Sequence, residues 1–359
     1  MRVFQLLPTL NPGDAVGNDA VAIDALLKRM GLGGGIYAEN IAPRYRDGTG
    51  IPWKRMPRPA PEDAVLYHHS MGSQLSRVAA GLNCKKAMVY HNVTPPEFFG
   101  TDFPNLRYMT RLGQKDTAFL RDTMEYCIAD STFNKQGLLE AGYTCPIGVC
   151  PVLIPFEEYQ AAPNADLIGR FRDGCTNVLF VGRVTPNKRQ EDVIRAFALY
   201  QRHFNPRSRL FIAGGDTGTE RYTAALRDYV AQLGVQHVHI TGAVPFADIL
   251  AYYRVADVLL CMSEHEGFCV PLLEAMFFDV PVVAFASSAI PETLGGSGML
   301  LKEKDFALAA GCIDRVTRDG ALRARILAGQ RARLADFAYE RVASQMEACL
   351  GAWLDGGIA

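Results

Sequence analysis

The sequence predicts an α/β protein built from two doubly wound parallel sheets. Short apolar runs of strand length alternate with amphipathic helical segments. The alternation occurs twice, once on each side of a polar stretch at residues 155–175 that contains Pro163, Asn164 and Gly174. Strands that alternate with helices form parallel sheets covered by helices on both faces. A chain of 359 residues has room for two such domains, which we place at residues 1–154 and 176–336, with 155–175 as an irregular linker.

The first half contains six candidate strands. They are Arg2–Leu7, Gly35–Ala38, Ala64–His68, Ala87–His91, Tyr126–Ala129 and Gly148–Val152. Between the first two, residues 18–30 have apolar side chains at the spacing of one helix face.

The second half repeats the alternation more regularly. Its candidate strands are Asn177–Val181, Arg209–Ala213, Val238–Thr241, Val258–Cys261, Val280–Ala284 and Met299–Leu301. The closing segment, Phe337 to Leu354, has the apolar spacing of another amphipathic helix.

Composition excludes several functional classes. The formal net charge is −1, so no overall basic field indicates nucleic-acid binding. The nine cysteines are odd in number, form no C-x-x-C pair and lie partly in apolar runs, which favours reduced thiols in a cytoplasmic protein. No apolar run approaches transmembrane length, and the first residues are typical of a strand rather than a signal peptide.

The most informative stretch is Ser263 to Glu274, which reads S-E-H-E-G-F-C-V-P-L-L-E. An apolar strand precedes it and a helix starting near Pro271 follows it. A strand–turn–helix junction presents free backbone N–H groups and the positive end of a helix dipole, which suit a phosphate. Carboxylates, here Glu266 and Glu274, accept hydrogen bonds from hydroxyl groups. N–H groups that can donate to a phosphate, next to carboxylates that can accept from hydroxyl groups, indicate a nucleotide-sugar site.

Glu266-x7-Glu274, in the form E-G-F-C-V-P-L-L-E-A-M, resembles the signature of glycosyltransferase family 4, whose members are retaining enzymes with the GT-B fold. The resemblance implies two Rossmann-like domains facing a central cleft, the first binding the acceptor and the second binding the donor. It also implies that the last helix, at 337–359, packs back on the first domain. In this reading Glu266 contacts the sugar, Glu274 holds the ribose, and the turn Gly267, Phe268, Cys269, Val270 contributes to donor binding.

A second element of the resemblance is Gly182-Arg183 followed by Lys188, which matches G-R-x-x-x-x-K. A diphosphate leaving group gains negative charge as the bond to the sugar breaks. Arg183 can hold two oxygens and Lys188 supplies a compact charge, so both are expected to be catalytic. The alternative is that both side chains are simply solvated.

Two further strand ends in the second domain carry glycines, Gly214-Gly215 and Gly242. The carboxyl ends of parallel strands are where doubly wound folds bind ligands. Gly214 and the backbone of Val244 are therefore candidates for contacts with the nucleotide base. Steric reasons alone account equally well for such glycines.

In the first domain, Gly13, Asp14 and Gly17 form a loop that resembles the family's Gly-rich loop but departs from its common G-G form. We expect the loop to contact the donor, with Asp14 reaching an acceptor hydroxyl. Asn18 or Asp19 is a candidate helix N-cap.

Histidines end two strands of the first domain. By resemblance His91 contacts the donor sugar as a catalytic residue, and His68 and His69 lie near the acceptor. After the next strand, Asp130-Ser131 either belongs to the same site or caps the helix that follows.

Two basic stretches of the first domain suit an anionic membrane surface or a lipid-linked diphosphate acceptor, although a solvated loop explains them equally well. They contain Arg44, Arg46, Trp53, Lys54, Arg55 and Arg58, and then Arg107, Arg111, Lys115 and Arg121.

The stretch H-N-V-T-P-P-E-F-F, which begins at His91, and E-G-F-C-V-P-L-L-E-A-M resemble bacterial O-antigen and exopolysaccharide enzymes that use GDP-mannose or GDP-D-rhamnose. This resemblance implies a retaining hexosyltransferase that moves mannose or rhamnose from a GDP-sugar to a glycan or lipid-linked acceptor in cell-surface polysaccharide synthesis. No Asp-x-Asp pair occurs, so we expect no metal and no cofactor. The alternatives are a UDP- or dTDP-sugar donor, or a nucleotide-sugar-binding protein without turnover. An NAD-dependent oxidoreductase is disfavoured because no G-x-G-x-x-G follows a strand. We expect a cytoplasmic protein, peripheral on the inner face of the membrane if the basic stretches bind lipid.

Overall fold

The computed structural model describes residues 1–356, and the last three residues of the expected C-terminal helix at 337–359 lie outside them. Within this range the chain divides into two compact units. The first unit contains residues 1–155 and the chain from Phe337 onward, and the second contains Phe156–Asp336.

The first unit is built on a seven-stranded parallel sheet in the order β3-β2-β1-β4-β5-β6-β7, counted within residues 1–356. Its strands are β1 (Val3–Leu10), β2 (Gly33–Ile41), β3 (Gly50–Pro52), β4 (Ala64–His69), β5 (Lys85–Tyr90), β6 (Tyr126–Ala129) and β7 (Ile147–Val149).

The second unit has a six-stranded parallel sheet, likewise counted within the described range, in the order β10-β9-β8-β11-β12-β13. Its strands are β8 (Thr176–Val181), β9 (Ser208–Ala213), β10 (Val238–Gly242), β11 (Val258–Cys261), β12 (Val282–Phe285) and β13 (Met299–Leu301).

Helices connect successive strands in both units. They are α1 (Ala15–Arg29), α2 (Leu75–Gly81), α3 (Pro104–Leu120), α4 (Thr132–Glu140), α5 (Ala165–Phe171), α6 (Gln190–His203), α7 (Glu220–Leu233), α8 (Phe246–Val255), α9 (Val270–Phe277), α10 (Ile290–Leu294), α11 (Phe306–Arg318), α12 (Gly320–Leu334) and α13 (Tyr339–Leu354). No helix among the described residues is both long enough and apolar enough to cross a bilayer.

The twelve strands expected from the sequence are all present, and the predicted fold class is confirmed. The sequence did not predict β3, which lies at a sheet edge. This strand has three residues, too few to show the alternation of apolar and polar side chains that indicates a strand. Helix α1 begins at Ala15, so the expected N-cap at Asn18 or Asp19 is wrong: both lie inside the helix and Asp14 is the N-cap residue.

The expected irregular linker at 155–175 is wrong for more than half of its length. A 3-10 turn covers Phe156–Gln160 and helix α5 follows. The Asn164 side chain caps α5 by accepting hydrogen bonds from two backbone N–H groups. The ring of Phe171 packs edge-on against Phe211, with centroids 4.7 Å apart. Helix α5 therefore belongs to the second unit, although the polar composition of this segment indicates an irregular linker.

The last helix, α13, completes the core of the first unit. Its apolar face, which includes Val342, Met346 and Leu350, is buried against side chains of α1 and of the first sheet. Trp353 is 4% exposed and belongs to the same core. The first unit is therefore discontinuous, with its hydrophobic core drawn from both ends of the chain.

Candidate active site

The candidate residues of the second unit follow strands that meet at one edge of the sheet. Strands β8 and β11 are hydrogen-bonded neighbours although β9 and β10 lie between them in the sequence, so the strand order reverses between β8 and β11. Doubly wound folds bind ligands at the carboxyl ends of the strands where this reversal occurs. The segment carrying Lys188 follows β8, and the segment carrying Glu266 follows β11.

Lys188 and Glu266 form an ion pair across this point. The ammonium lies 2.8 Å and 2.7 Å from the two carboxylate oxygens. The side chains are 20% and 8% exposed. Burial opposes the charge of Lys188, but the carboxylate outweighs it and raises the pKa of Lys188. The ammonium of Lys188 is therefore charged and held in a fixed position against Glu266.

Backbone and side-chain hydrogen bonds hold the two turns together around this pair. Asn187 donates from its amide to the carbonyl of His265 at 3.1 Å, and its own carbonyl accepts from the N–H of Glu264 at 2.9 Å. The hydroxyl of Ser288 accepts from the N–H of Glu266 at 2.8 Å. The sequence did not predict these roles of Asn187 and Ser288. Their side chains bind backbone groups of the turn that carries Glu266, and such contacts leave no sequence motif.

Arg183 lies apart from the ion pair. Its exposed guanidinium donates to the carbonyl of Thr217 at 2.6 Å. Four donors of the fork remain for a ligand, because the guanidinium has five N–H groups.

The turn at residues 267–270 presents mainly backbone. Phe268 and Cys269 are each 6% exposed, so their side chains face inward. Cys269 has φ of +77°, a left-handed conformation that few residues other than glycine adopt. Helix α9 starts at the next residue, Val270, so the first N–H groups of the helix are the donors this segment can offer.

Glu274 is bound by two tyrosines rather than being open to solvent. Tyr159 donates to one carboxylate oxygen at 2.7 Å and Tyr253 to the other at 2.6 Å. Burial raises the pKa of Glu274, and the two hydroxyl donors partly offset that effect. A carboxylate has about four acceptor positions, so two remain for hydroxyl groups of a ligand. Sequence reasoning missed both tyrosines.

Gly214 has a steric role. A Cβ built there would lie 2.0 Å from the carbonyl oxygen of Gly182, and its φ of +156° is one that other residues rarely adopt. The ends of β8 and β9 thus approach too closely for a side chain, which favours the steric alternative for this glycine. Val244 borders a cavity of about 550 Å³, whose lining also includes Phe211 and Tyr252.

A second charged cluster next to the ion pair was missed from the sequence. Lys304 lies 2.6 Å from Glu264 and also pairs with Asp192. Arg189, which has a left-handed φ of +53°, contacts the same two carboxylates. These residues brace the start of α6 against the turn that carries Glu266.

In the first unit, the loop after β1 shows why its glycines are needed. Gly13 has φ of +76°. Gly17 lies in the first turn of α1, where a Cβ would be 2.7 Å from the carbonyl oxygen of Asn11. Asp14 is half-buried and close enough to His91 for its carboxylate to help raise the pKa of that histidine.

His91 belongs to a buried hydrogen-bonded chain. Its Nδ1 lies 2.8 Å from a carboxylate oxygen of Asp130, and its Nε2 lies 2.9 Å from Nδ1 of His68. The other nitrogen of His68 lies 2.8 Å from the side-chain oxygen of Gln5. The Gln5 amide nitrogen donates to the carbonyl of Ala20 at 3.0 Å.

This chain fixes the protonation of His91. Gln5 presents its oxygen to His68, so His68 donates there from Nε2 and accepts at Nδ1. His91 must then donate to His68 from Nε2, and it donates to Asp130 from Nδ1. A histidine that donates from both nitrogens is an imidazolium. Burial alone would lower the pKa of His91, but the carboxylates of Asp130, Asp19 and Asp14 together raise it, whereas burial lowers the pKa of His68.

The expectation that His68 and His69 contact the acceptor is corrected by their burial. Both are 0% exposed. His69 is bound through Nε2 to the hydroxyl of Thr117 at 2.8 Å. A fully enclosed ring cannot reach a substrate, so these histidines support the site from behind. Ser131 caps α4, which confirms the capping alternative, and Asp130 binds His91.

Among residues 1–356, two groups of three side chains bring potential metal-ligating atoms within 4.8 Å of one another. Asp19, His68 and His91 form the first group, but an imidazolium at His91 has no lone pair for a metal ion. We therefore assign them to the hydrogen-bonded chain. The second group is Cys261, Glu266 and Cys269.

We predict that Asp130→Asn lowers the pKa of His91, because the Asp130 carboxylate is the first of the groups that raise this pKa against the effect of burial. In the wild type, the His91–Asp130 ion pair makes its full contribution to the free energy of unfolding below pH 6.5. This contribution is lost as the pH rises through the raised pKa of His91. Nitrogen-15 NMR of the imidazole groups measures the protonation directly. Two protonated ring nitrogens are expected in the wild type near pH 6.5.

The exposed His203 serves as the internal control, and its nitrogen resonances at a given pH should be the same in both proteins. An unprotonated nitrogen on wild-type His91 at that pH would contradict the assignment.

The second unit matches a known family by sequence. Residues 169–333 match the sequence model of the family described as "Glycosyl transferases group 1". The D-inositol 3-phosphate glycosyltransferase of Frankia alni is 34% identical over 195 residues, 52% of this chain and 48% of that protein. The O-antigen chain mannosyltransferase B of Escherichia coli is 27% identical over 172 residues, 46% of this chain and 43% of that protein. The chain thus spans about half the length of these curated relatives.

The whole chain resembles solved structures. The Anabaena HepE structure in complex with UDP-glucose superposes with a TM-score of 0.78 and 16% sequence identity, covering 98% of this chain and all of that one. At this identity the likeness establishes the fold. The chain therefore has the GT-B fold, and its second unit carries the sequence match to the glycosyl transferases of group 1.

Proposed function

We propose that the protein is a retaining glycosyltransferase that moves a mannose- or rhamnose-type hexose from a nucleotide-sugar to a glycan or lipid-linked acceptor in cell-surface polysaccharide synthesis. The single observation that carries the proposal is the ion pair of Lys188 with Glu266 at the strand-order reversal of the second sheet. A fixed cation stabilises a departing diphosphate, and a fixed carboxylate can accept from a sugar hydroxyl.

The proposed division of labour follows from these positions. Lys188 and Arg183 stabilise the diphosphate as its charge develops, together with the first N–H groups of α9. Glu274 holds the ribose with the acceptor positions that its two tyrosines leave open. Because the leaving-group charge is met by side chains and amides, we propose that turnover needs no metal.

The protonation of both ring nitrogens of His91 supports attack by the acceptor from the same face as the leaving group. A protonated His91 has no lone pair on either nitrogen, so it cannot act as the base. The acceptor hydroxyl then transfers its proton to the departing phosphate oxygen. The bond from the anomeric carbon to that oxygen breaks as the bond to the acceptor forms, and the configuration is retained. In this mechanism His91 positions groups and supplies charge.

For the donor we propose a GDP-sugar, which the similarity to an O-antigen mannosyltransferase supports. The alternative is a UDP-sugar, because UDP-glucose is the ligand of the similar Anabaena structure. Thermal-shift measurements with GDP, UDP, dTDP and ADP distinguish them, since a ligand at about 100 times its Kd raises stability by about 2.7 kcal/mol. No shift with any of the four would contradict the proposal that the chain binds nucleotide-sugars.

We predict that substitutions of Glu274 and Glu266 have different effects on the binding of the nucleoside diphosphate that raises the thermal stability of the protein. Glu274→Gln should weaken its binding by about 1–3 kcal/mol, because a charged hydrogen bond to ribose is lost. Glu266→Gln should leave that affinity intact or higher, because Lys188 is released, while turnover falls. Calorimetry measures the affinities, and the exposed Glu303→Gln is the control. Equal losses of affinity in both variants would refute this division.

A second prediction tests the mechanism. Transfer should continue in EDTA, and Lys188→Met should lower kcat by about 100- to 1,000-fold, the usual effect of removing one transition-state contact. NMR of the product should show the donor's anomeric configuration. Inverted product would overturn the retaining assignment, and a donor sugar attached to any carboxylate, detected by mass spectrometry, would rule out same-face attack.

We also propose that α3 meets an anionic membrane surface or the diphosphate of a lipid-linked acceptor, which would make the protein a peripheral one on the cytoplasmic side. Four exposed residues, Tyr108, Arg111, Lys115 and Phe119, follow the three- and four-residue spacing of one helix face. Tyr108 is 65% exposed and Phe119 is 45% exposed. Exposed aromatic and basic side chains on one face suit an interfacial helix.

Charge reversal tests this surface. Arg111→Glu with Lys115→Glu should weaken sedimentation with phosphatidylserine vesicles by at least about 30-fold, because each basic residue near such a surface contributes about 1 kcal/mol. Reversal of Arg221 and Arg325, two exposed arginines of the second unit, is the matched control. Equal binding of the wild type to anionic and neutral vesicles would count against a membrane role.

A further inference from the structure

The second three-ligand group lies on the turn that carries Glu266. Cys261 ends β11, Cys269 precedes α9, and Glu266 lies between them in sequence. Their ligand atoms, two sulfurs and a carboxylate oxygen, all lie within 4.8 Å of one another. The three residues are 5%, 6% and 8% exposed. Two thiols and one carboxylate thus converge on a single enclosed point.

We propose that Cys261, Cys269 and Glu266 form a binding site for a soft divalent cation of the zinc class. Zinc binds thiolate at about 2.3 Å in tetrahedral geometry, which places two sulfurs about 3.8 Å apart. Atoms already within 4.8 Å need only a small contraction to reach that geometry. Sulfur ligands select zinc over the magnesium-like ions that prefer an all-oxygen site.

The charges of the site balance with the ion bound. Without it, the carboxylate of Glu266 and the ammonium of Lys188 cancel. When the cation binds, each thiol loses its proton to solvent and two metal–sulfur bonds form, with no change of oxidation state. Two thiolates, one carboxylate, one ammonium and one dication again sum to zero. The ammonium interacts electrostatically with the carboxylate and with both thiols, so it remains a neighbour of the bound ion.

The ion would compete with Lys188 for Glu266. A carboxylate that ligates a cation has fewer lone pairs for an ammonium or for a sugar hydroxyl. Occupation should therefore inhibit transfer, a consequence that rests on the proposed function. The binding site itself does not depend on that function. Such an ion is an inhibitor and not a cofactor, which agrees with the expected activity in EDTA.

Cobalt(II) titration of the reduced full-length chain tests the site without any sugar substrate. The phosphine reductant TCEP keeps the thiols free. The wild type should bind one equivalent of cobalt with a sulfur-to-metal charge-transfer band, and zinc should displace it. Calorimetry in buffers of different ionisation enthalpy should show about two protons released for each ion.

Cys269→Gly is the decisive variant because glycine suits the left-handed backbone at this position, where φ is +77°. It should weaken cobalt binding by at least about 100-fold, since even an outer-shell change costs about 10- to 100-fold. Cys261→Ala should do the same. Cys145→Ser is the matched control: Cys145 and Cys127 form another close thiol pair, with sulfurs 3.7 Å apart, but belong to neither three-ligand group found among residues 1–356.

Several outcomes overturn the proposal. These are no thiolate charge-transfer band in the wild type, a band that survives in Cys269→Gly, or a band lost in Cys145→Ser. Cobalt held by Asp19, His68 and His91 would give no sulfur band, so the two groups are distinguished. Failure of glycosyl transfer in every assay, with cobalt binding intact, would refute the proposed function and leave this site standing.

Discussion

The ion pair between Lys188 and Glu266 is the interaction on which the candidate site of the second unit depends. It joins the segments after β8 and β11, the two strands between which the sheet order reverses. At such a point the two connections run to opposite faces of the sheet and leave a crevice. An unpaired charge buried there would cost several kcal/mol, so each partner is needed to keep the other ionised. The hydrogen bonds of Asn187 and Ser288 then fix the backbone around the pair.

The first unit treats its buried charge differently. Here a chain of directional hydrogen bonds, from Gln5 through His68 to His91 and Asp130, decides which atoms carry protons. The amide of Gln5 is a neutral group, yet its orientation determines which nitrogen of His68 accepts a hydrogen bond. Through His68 it determines the protonation of His91. A low-dielectric interior makes such chains strong when every member is satisfied and costly when one is not. The strand order of the first sheet also reverses next to this chain, between β1 and β4.

The sequence was sufficient to predict the strands and the motif residues because both depend on local patterns. Apolar periodicity needs only a few neighbouring residues, and Glu266 and Glu274 lie within one turn and helix. The partners of these residues could not be predicted in the same way. Tyr159, which binds Glu274, is 115 positions away and lies in a segment whose composition indicates a linker. Burial of His68 likewise depends on packing that no short window contains.

The discontinuous first unit has a consequence for synthesis on the ribosome. The chain emerges from its amino end, and domains fold as units while it does so. Residues 1–155 appear first, yet the apolar surface that α13 covers stays open until the whole second unit has been made. The second unit, continuous in sequence, can close its own core earlier. The last segment translated therefore completes the first unit, and a nascent chain that stalls before residue 339 would expose the faces of Ile23 and Leu26 that α13 buries.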